Sequence, residues 1–93
     1  MLALFAAELV ATFFFVAIIL ATAAPFPIAV ALLGAIYLSS NISGGHVNPA
    51  VSVAMWAKGD LTASKLVVYV TAQLIGGLVA LLWFKATNKP QRR

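Results

Sequence analysis

The sequence predicts an all-α membrane protein with three transmembrane helices and one re-entrant half-helix, a short helix that enters the bilayer without crossing it. The first reason is composition: 63% of the 93 residues are hydrophobic and 9% are charged, which is too apolar for a soluble fold of this size. The second is that no charged residue occurs between Leu9 and Leu38. The third is the stretch SSNISGGHVNPAVSVAMW, residues 39–56, which interrupts an otherwise apolar chain with two glycines, a histidine, an asparagine and a proline.

The first two spans are separated by prolines. Residues 2–23 would form about 33 Å of helix, which is enough to cross a hydrocarbon core of about 30 Å. Pro25 and Pro27 are expected to end that helix, because proline lacks an N–H donor and restricts the residue before it. The second span is therefore predicted over residues 28–41. At about 21 Å it is short, so the following segment has to complete the depth.

That following segment predicts a re-entrant loop and half-helix over residues 43–57. Asn48 is a good helix cap because its side chain accepts from free backbone donors, and Pro49 at the first helical position loses no hydrogen bond. A cation and a glycine at residues 58–59 favour the end of a helix. The resulting helix is about 13 Å long, which is roughly half a membrane.

The third span is predicted over residues 63–84, with Asp60 or Thr62 as its cap. We find no internal repeat and no linker, so residues 1–93 are predicted to form one domain. Small residues recur every fourth position in the first and third spans, a spacing that lets membrane helices approach closely. They are Ala3, Ala7, Ala11, Ala72, Gly76 and Ala80.

Several classes of function are not supported. The chain has no cysteine, which excludes disulfides and thiolate metal sites. It also lacks paired carboxylates, a nucleophile beside a base, and a cluster of metal ligands, so we expect no enzyme, metal or cofactor. The net charge of +4 does not indicate a nucleic-acid partner, because most basic residues lie in the C-terminal tail, where they favour the membrane surface. These residues are Lys85, Lys89, Arg92 and Arg93.

The run from Ser43 to Ser52, SGGHVNPAVS, resembles the first signature loop of the aquaporin and glycerol-channel family, the major intrinsic proteins. Residues 7–9 and 12–13 are similar to the first helix of that family, and residues 69–73 with Gly76-Gly77 are similar to its third. Family members join two such three-span halves, inverted relative to each other, in one chain. The resemblance therefore implies an aquaporin-like half repeat.

A single half cannot enclose a pore, because its re-entrant loop would face lipid with unsatisfied backbone groups. The simplest completion is a second copy inserted upside down, which makes an inverted homodimer. Lys58 and Lys65 would lie on one side of the membrane and the four basic residues of the tail on the other, a modest bias that fits dual topology. The resemblance also implies that such pores can cluster into fours.

The loop carries the candidate pore residues. Glycine lets the backbone present its carbonyl oxygens to a cavity as a ladder of acceptors, which is expected of Gly44, Gly45, His46 and Val47. The motif that follows is Asn48, Pro49 and Ala50. The capping oxygen of Asn48 leaves its amide hydrogens free to donate to a passing oxygen atom, and the half-helix adds roughly half a positive charge.

The resemblance implies further roles. Glu8 is expected to accept hydrogen bonds from the backbone of the loop, with Gln73 as a second support. His46 either lines the vestibule or is fixed by local hydrogen bonds. Relatives build a filter from an aromatic residue, a loop residue and an arginine, and the corresponding positions here are Ile28, Gly45 and Val51. Such a filter would be wider and less polar.

These expectations predict an integral, multi-pass membrane protein that acts as a passive channel for water and small neutral solutes such as glycerol. Two alternatives stay open. One is a proton-coupled dual-topology transporter that uses Glu8, because a charge within a membrane span is costly and often functional. The other is a subunit that conducts nothing, or one half of a longer protein.

Overall fold

The computed structural model describes residues 1–88, and it confirms the predicted all-α class. Three residues of the basic tail, Lys89, Arg92 and Arg93, lie outside the described residues. The four helices of the described part, in chain order, are α1 (Leu2–Thr22), α2 (Pro25–Ser39), α3 (Pro49–Lys58) and α4 (Ala63–Thr87). Helices α1 and α4 are long and apolar enough to cross a membrane, whereas α2, with 15 residues, is shorter.

Helix α2 begins at Pro25, three residues before the predicted start at Ile28. Ala24 is extended and acts as the N-cap, and Pro25 and Pro27 both lie in the first turn. Backbone N–H groups have no partner within the helix at these positions, so the missing proline donors cost nothing there. The prolines therefore start the second helix, while the left-handed Ala23 (φ 48°) closes the first.

Helix α3 begins at Pro49 and runs to Lys58, one residue beyond the predicted end. Gly59 follows with φ 103°, and its N–H bonds back to the carbonyls of the last turn. The exposed Lys58 ammonium lies 2.9 Å from the carboxylate of Asp60. The N-cap of α4 is Thr62, whose hydroxyl accepts from the N–H of Lys65.

Helix α1 packs against both α2 and α4, and α3 packs against α4. Helices α1 and α4 run parallel, since Glu8 contacts Gln73 while residues 12–13 lie against Gly76. The approach is close: a Cβ atom on Gly76 would lie 2.6 Å from the carbonyl oxygen of Leu9. The small-residue stripe of α4 is buried within the helix packing. Its members are Ala72, Gly76 and Ala80.

The distribution of polarity is the reverse of that in a soluble protein. Large apolar side chains cover the outside of the helices, for example Leu2, Phe26, Val67 and Leu82. Six polar side chains are buried between the helices instead: Glu8, Thr12, Ser39, Ser43, Ser52 and Gln73. This distribution suits a chain whose solvent is lipid, and it places a polar cluster beside the loop that joins α2 to α3.

Candidate functional site

A single carboxylate organises the loop between α2 and α3. Glu8 is fully buried and accepts hydrogen bonds at both oxygens. Oε2 accepts from the hydroxyl of Ser43 (2.5 Å) and the backbone N–H of His46 (3.1 Å). Oε1 accepts from the N–H of Val47 (2.8 Å) and from Nε2 of Gln73 (2.9 Å). A charge at this depth is expensive unless it is well bonded, and these four donors supply the bonding.

The same network fixes the ring of His46. A carboxylate only accepts, so Nε2 of Gln73 must face Glu8, and the same nitrogen also donates to Oγ of Ser52 at 2.9 Å. The single hydrogen of the Ser52 hydroxyl is then available for Nδ1 of His46, 2.8 Å away. The same oxygen has a second lone pair, so it can instead accept from an Nδ1–H group, and the tautomer of the ring sets the direction of this bond. The ring therefore has a local hydrogen bond and also packs against Tyr69, with centroids 4.8 Å apart.

The backbone of the loop has an unusual conformation. Gly44 and Gly45 have φ of 89° and 68°, a region that glycine enters without steric cost. At Gly45 a side chain would also lie within 3.1 Å of Ile36. Val47 has φ 56°, which costs a β-branched residue about 1–2 kcal/mol. Its N–H bond to Glu8 holds it in that conformation.

The carbonyl oxygens of residues 44–47 are open acceptors. The preceding carbonyl, that of Ser43, accepts from the hydroxyl of Tyr69 at 2.6 Å. Within residues 1–88 no donor is bonded to the carbonyl oxygens of residues 44–47. The N–H groups of residues 46 and 47, by contrast, both donate to Glu8. The N–H groups of residues 44, 46 and 47 are thus bonded within the chain, whereas these four carbonyl oxygens stay available to another molecule.

Asn48 presents the opposite polarity. Its Oδ1 accepts from the N–H of Ala50 at 2.8 Å, so the amide nitrogen is left with two hydrogens, and nothing in the described part of the chain accepts them. The residue is exposed and, together with Pro49, lines a groove of about 510 Å³. Because α3 begins here, its positive end faces the same groove.

The groove is otherwise mostly apolar and is open on one side. Its walls come from α1, α4 and the residue before Asn48: Thr12, Phe15, Val16, Val47, Gln73, Leu74, Gly77 and Leu78. A second basin, of about 530 Å³, lies at the loop end of the molecule. His46, Tyr69 and Lys65 are among its lining residues.

The three predicted filter positions are not gathered within one unit. Gly45 lies against Ile36 of α2, and Ile28 is two turns away on the same helix, about 12 Å along its axis. Val51 is exposed on the first turn of α3. A filter made of these residues stays a prediction for an assembled pair of units.

Sequence reasoning missed four members of the site: Thr12, Ser43, Ser52 and Tyr69. One signal was available, because Tyr69 and Gln73 are four residues apart and share a helix face. Ser43 and Ser52 carried no comparable signal, since a hydroxyl in an apolar helix or turn often bonds its own backbone. The described residues contain no group of three or more His, Cys, Asp or Glu side chains that could hold a metal ion.

Comparison with known proteins gives a consistent picture. The family model described as "Major intrinsic protein" matches residues 24–93. The probable aquaporin TIP1-2 of Oryza sativa subsp. japonica is 49% identical over 57 residues, which cover 61% of this chain and 23% of that protein. Aquaporin Z of Photorhabdus laumondii is 45% identical over 49 residues, covering 53% and 21%. The glycerol uptake facilitator protein of Pseudomonas aeruginosa is 50% identical over 46 residues, covering 50% and 16%.

The chain thus spans about a quarter or less of the length of these curated relatives. The segment that the family model matches contains all of α2, the loop, α3 and all of α4. No solved structure matches the chain.

Proposed function

Because the chain belongs to the major intrinsic protein family, whose members are integral membrane proteins, we propose that it acts as a passive channel for water and small neutral solutes such as glycerol. One observation carries the proposal. The open carbonyls of residues 44–47 are followed directly by the free amide hydrogens of Asn48, at the positive end of a half-helix. A molecule that both donates and accepts hydrogen bonds can donate to these carbonyls and then accept from the Asn48 amide as it moves along the loop.

The order of these groups determines what passes. A water or hydroxyl oxygen accepts from the Asn48 amide, and its hydrogens point toward the carbonyls of residues 44–47. The positive end of α3 repels cations, and the apolar walls of the groove offer them no replacement for their hydration shell. Neutral solutes with hydroxyl groups lose little hydrogen-bonding energy on entry, because groups of the loop take the place of the water molecules to which those hydroxyls were bonded.

The groove also requires a covering partner. Carbonyl oxygens without donors are costly at bilayer depth unless they line a water-filled passage, and here one side of the passage is open. We propose that a second copy of the chain, inserted upside down, covers the groove and contributes its own half-helix. Two positive ends then meet near mid-membrane, and Ile28 of one copy forms a filter with Gly45 and Val51 of the other. Such pairs can cluster into four pores.

The position of Glu8 favours a channel over a proton-coupled transporter. A proton carrier has to exchange protons with both sides of the membrane. Glu8 is fully buried, and four protein donors occupy its two oxygens. Among the described residues it lines neither the groove nor the basin. These contacts support a role in holding the loop.

Proteoliposomes test the transport proposal. We expect stopped-flow volume changes driven by water and by glycerol, and we expect them to be insensitive to a pH gradient. Asn48→Asp places a negative charge at the constriction, so it should admit cations or abolish flux. Asn41→Asp, the same change in an exposed turn, is the matched control and should leave flux unaltered. Unchanged neutral flux and unchanged ion exclusion in Asn48→Asp would contradict the assignment.

Cross-linking tests the inverted pair. The chain has no cysteine, so a single Asn48→Cys substitution makes the only thiol. Inverted copies bring two such thiols together, and a short bismaleimide should join them into a dimer. Leu82→Cys, on the lipid-facing side of α4, should not cross-link. A fully active protein whose Asn48→Cys variant never forms the dimer would point to another source for the second half.

A further inference from the structure

Three consecutive phenylalanines of α1 have three different surroundings, because successive residues of a helix are about 100° apart. Phe13 contacts Trp83 of α4 in an edge-to-face arrangement, with ring centroids 6.3 Å apart. Phe14 is 38% exposed and lies beside α2, where a Cβ atom on Gly34 would be 3.6 Å from its ring. Of the three rings, only that of Phe15 lines the groove that α1 and α4 form with the loop.

The ring of Phe15 is held beside the loop. It packs against a buried cluster that consists of Ala11 of α1, Ala35 of α2 and Val47 of the loop. Val47 carries the last open carbonyl, and Asn48 follows it directly at the start of α3. The side chain of Phe15 is half-buried, so part of it packs on this cluster while the rest faces the groove. This aromatic wall therefore lies close to the point where the loop acceptors end and the amide donor begins.

No other aromatic side chain of the described residues lines the groove, whose remaining apolar walls are aliphatic. The three predicted filter positions, Ile28, Gly45 and Val51, hold no aromatic residue either. A phenyl ring is larger and more rigid than an aliphatic side chain. It is also at best a weak hydrogen-bond acceptor, so a hydroxyl group that faces it loses most of the bonding it had in water.

We propose that Phe15 sets the size limit for solutes beside Asn48, a role that rests on the proposed channel function. In the inverted pair each copy contributes one Phe15 ring, so two rings border the middle of the passage. Water and a short linear polyol fit, because the hydroxyl groups can face the loop while the carbon chain lies along the ring. A longer or branched polyol has hydroxyl groups on more than one side, and those that face the ring lose their hydrogen bonds.

Two substitutions change the ring in opposite directions. Phe15→Leu keeps an apolar contact with the buried cluster but widens the passage, so the glycerol-to-water and erythritol-to-water permeability ratios should rise. The second ratio should rise by about tenfold, the low end of the discrimination that one methylene of misfit produces in a closed pocket. Phe15→Trp narrows the passage, so both ratios should fall. Phe14→Leu, the same change on a neighbour outside the groove, is the matched control and should leave both ratios unaltered.

Stopped-flow measurements in proteoliposomes give the three permeabilities, and the melting temperature and hydrogen exchange of residues 46 and 47 report folding separately. A natively stable Phe15→Leu variant with unchanged ratios overturns the proposal, and so does an equal rise in Phe14→Leu. If Phe15→Leu instead melts lower and loses all fluxes in proportion, Phe15 only packs the helices and the proposal is wrong. A wild type that conducts neither water nor glycerol refutes the channel and this role with it. A conducting wild type without a response to Phe15 refutes the size limit alone.

Discussion

Replacing Glu8 by glutamine tests whether a buried carboxylate holds the loop. The substitution preserves size and removes one acceptor oxygen. The oxygen that remains can serve the N–H of Val47 and the amide of Gln73, as Oε1 does now. The introduced NH₂ group then faces Ser43 and the N–H of His46, which are both donors to Oε2 in the native protein.

The cost follows from what each donor can do next. The Ser43 hydroxyl can turn to accept from the new amide, because the carbonyl of Ser39 lies 3.3 Å from its oxygen and can take its hydrogen. The N–H of His46 has no such alternative. Leaving it unsatisfied costs about 1–3 kcal/mol. The two bonds at the remaining oxygen lose the negative charge that strengthened them, about 1 kcal/mol each. Together these losses should destabilise the Glu8→Gln variant by about 3–5 kcal/mol.

The melting temperature of the purified protein in detergent measures this loss. At about 4–8 °C per kcal/mol for a chain of this length, Glu8→Gln should melt more than about 10 °C below the wild type. Hydrogen exchange should accelerate most at the amides of His46 and Val47. Asp60→Asn, which breaks only an exposed ion pair, is the control and should melt like the wild type.

Two results would refute this reasoning. Glu8→Gln could melt within a few degrees of the wild type with unchanged exchange at residues 46 and 47, which would mean that the loop does not depend on the carboxylate. Alternatively, the variant could be stable but lose only a flux that requires a pH gradient. That second result would assign Glu8 to proton transport.

Other substitutions test the packing of α1 against α4 and the hydrogen bond from Tyr69 to the loop. Gly76→Ala places a Cβ atom 2.6 Å from the Leu9 carbonyl oxygen, so α1 and α4 must separate at a cost of about 1–3 kcal/mol. Gly77→Ala is the control, because its Cβ atom would have its nearest contact at 3.8 Å, and it should melt like the wild type. Equal melting temperatures for the two variants would contradict the close approach. Tyr69→Phe leaves the Ser43 carbonyl unsatisfied and should cost about 1–3 kcal/mol, seen as faster exchange in the loop; an unchanged exchange profile would show that water replaces the hydroxyl.

The parts of the fold that follow from local chemistry could be predicted from the sequence. Helix α3 starts at Pro49 because an asparagine cap and a proline act on their immediate neighbours. The start of α2 shows the limit of the same reasoning. Pro25 and Pro27 can end one helix or begin the next, and the choice depends on Ala23 and Ala24, which form the turn between the helices.

The candidate site depended on long-range pairing, which local patterns do not encode. The bonds from Glu8 cross 35 to 39 residues to the loop and 65 residues to Gln73. Only the resemblance to a family indicated that these residues meet. Thr12 was missed for the same reason, because its significance comes from a groove that α1 and α4 form together.

The distribution of satisfied and open groups in the loop has a consequence for assembly. Every donor that fixes the loop, and the carboxylate that receives them, lies in one unit. Of the groups left open, the Asn48 amide and the Val47 carbonyl belong to residues that line the groove, whereas Gly44 and His46 line the basin at the loop end. A partner is therefore not needed to shape the loop. It is needed to enclose the water that the open groups bind. An isolated unit in detergent should therefore keep the slow amide exchange of residues 46 and 47, and proteoliposomes that hold only single units should conduct nothing.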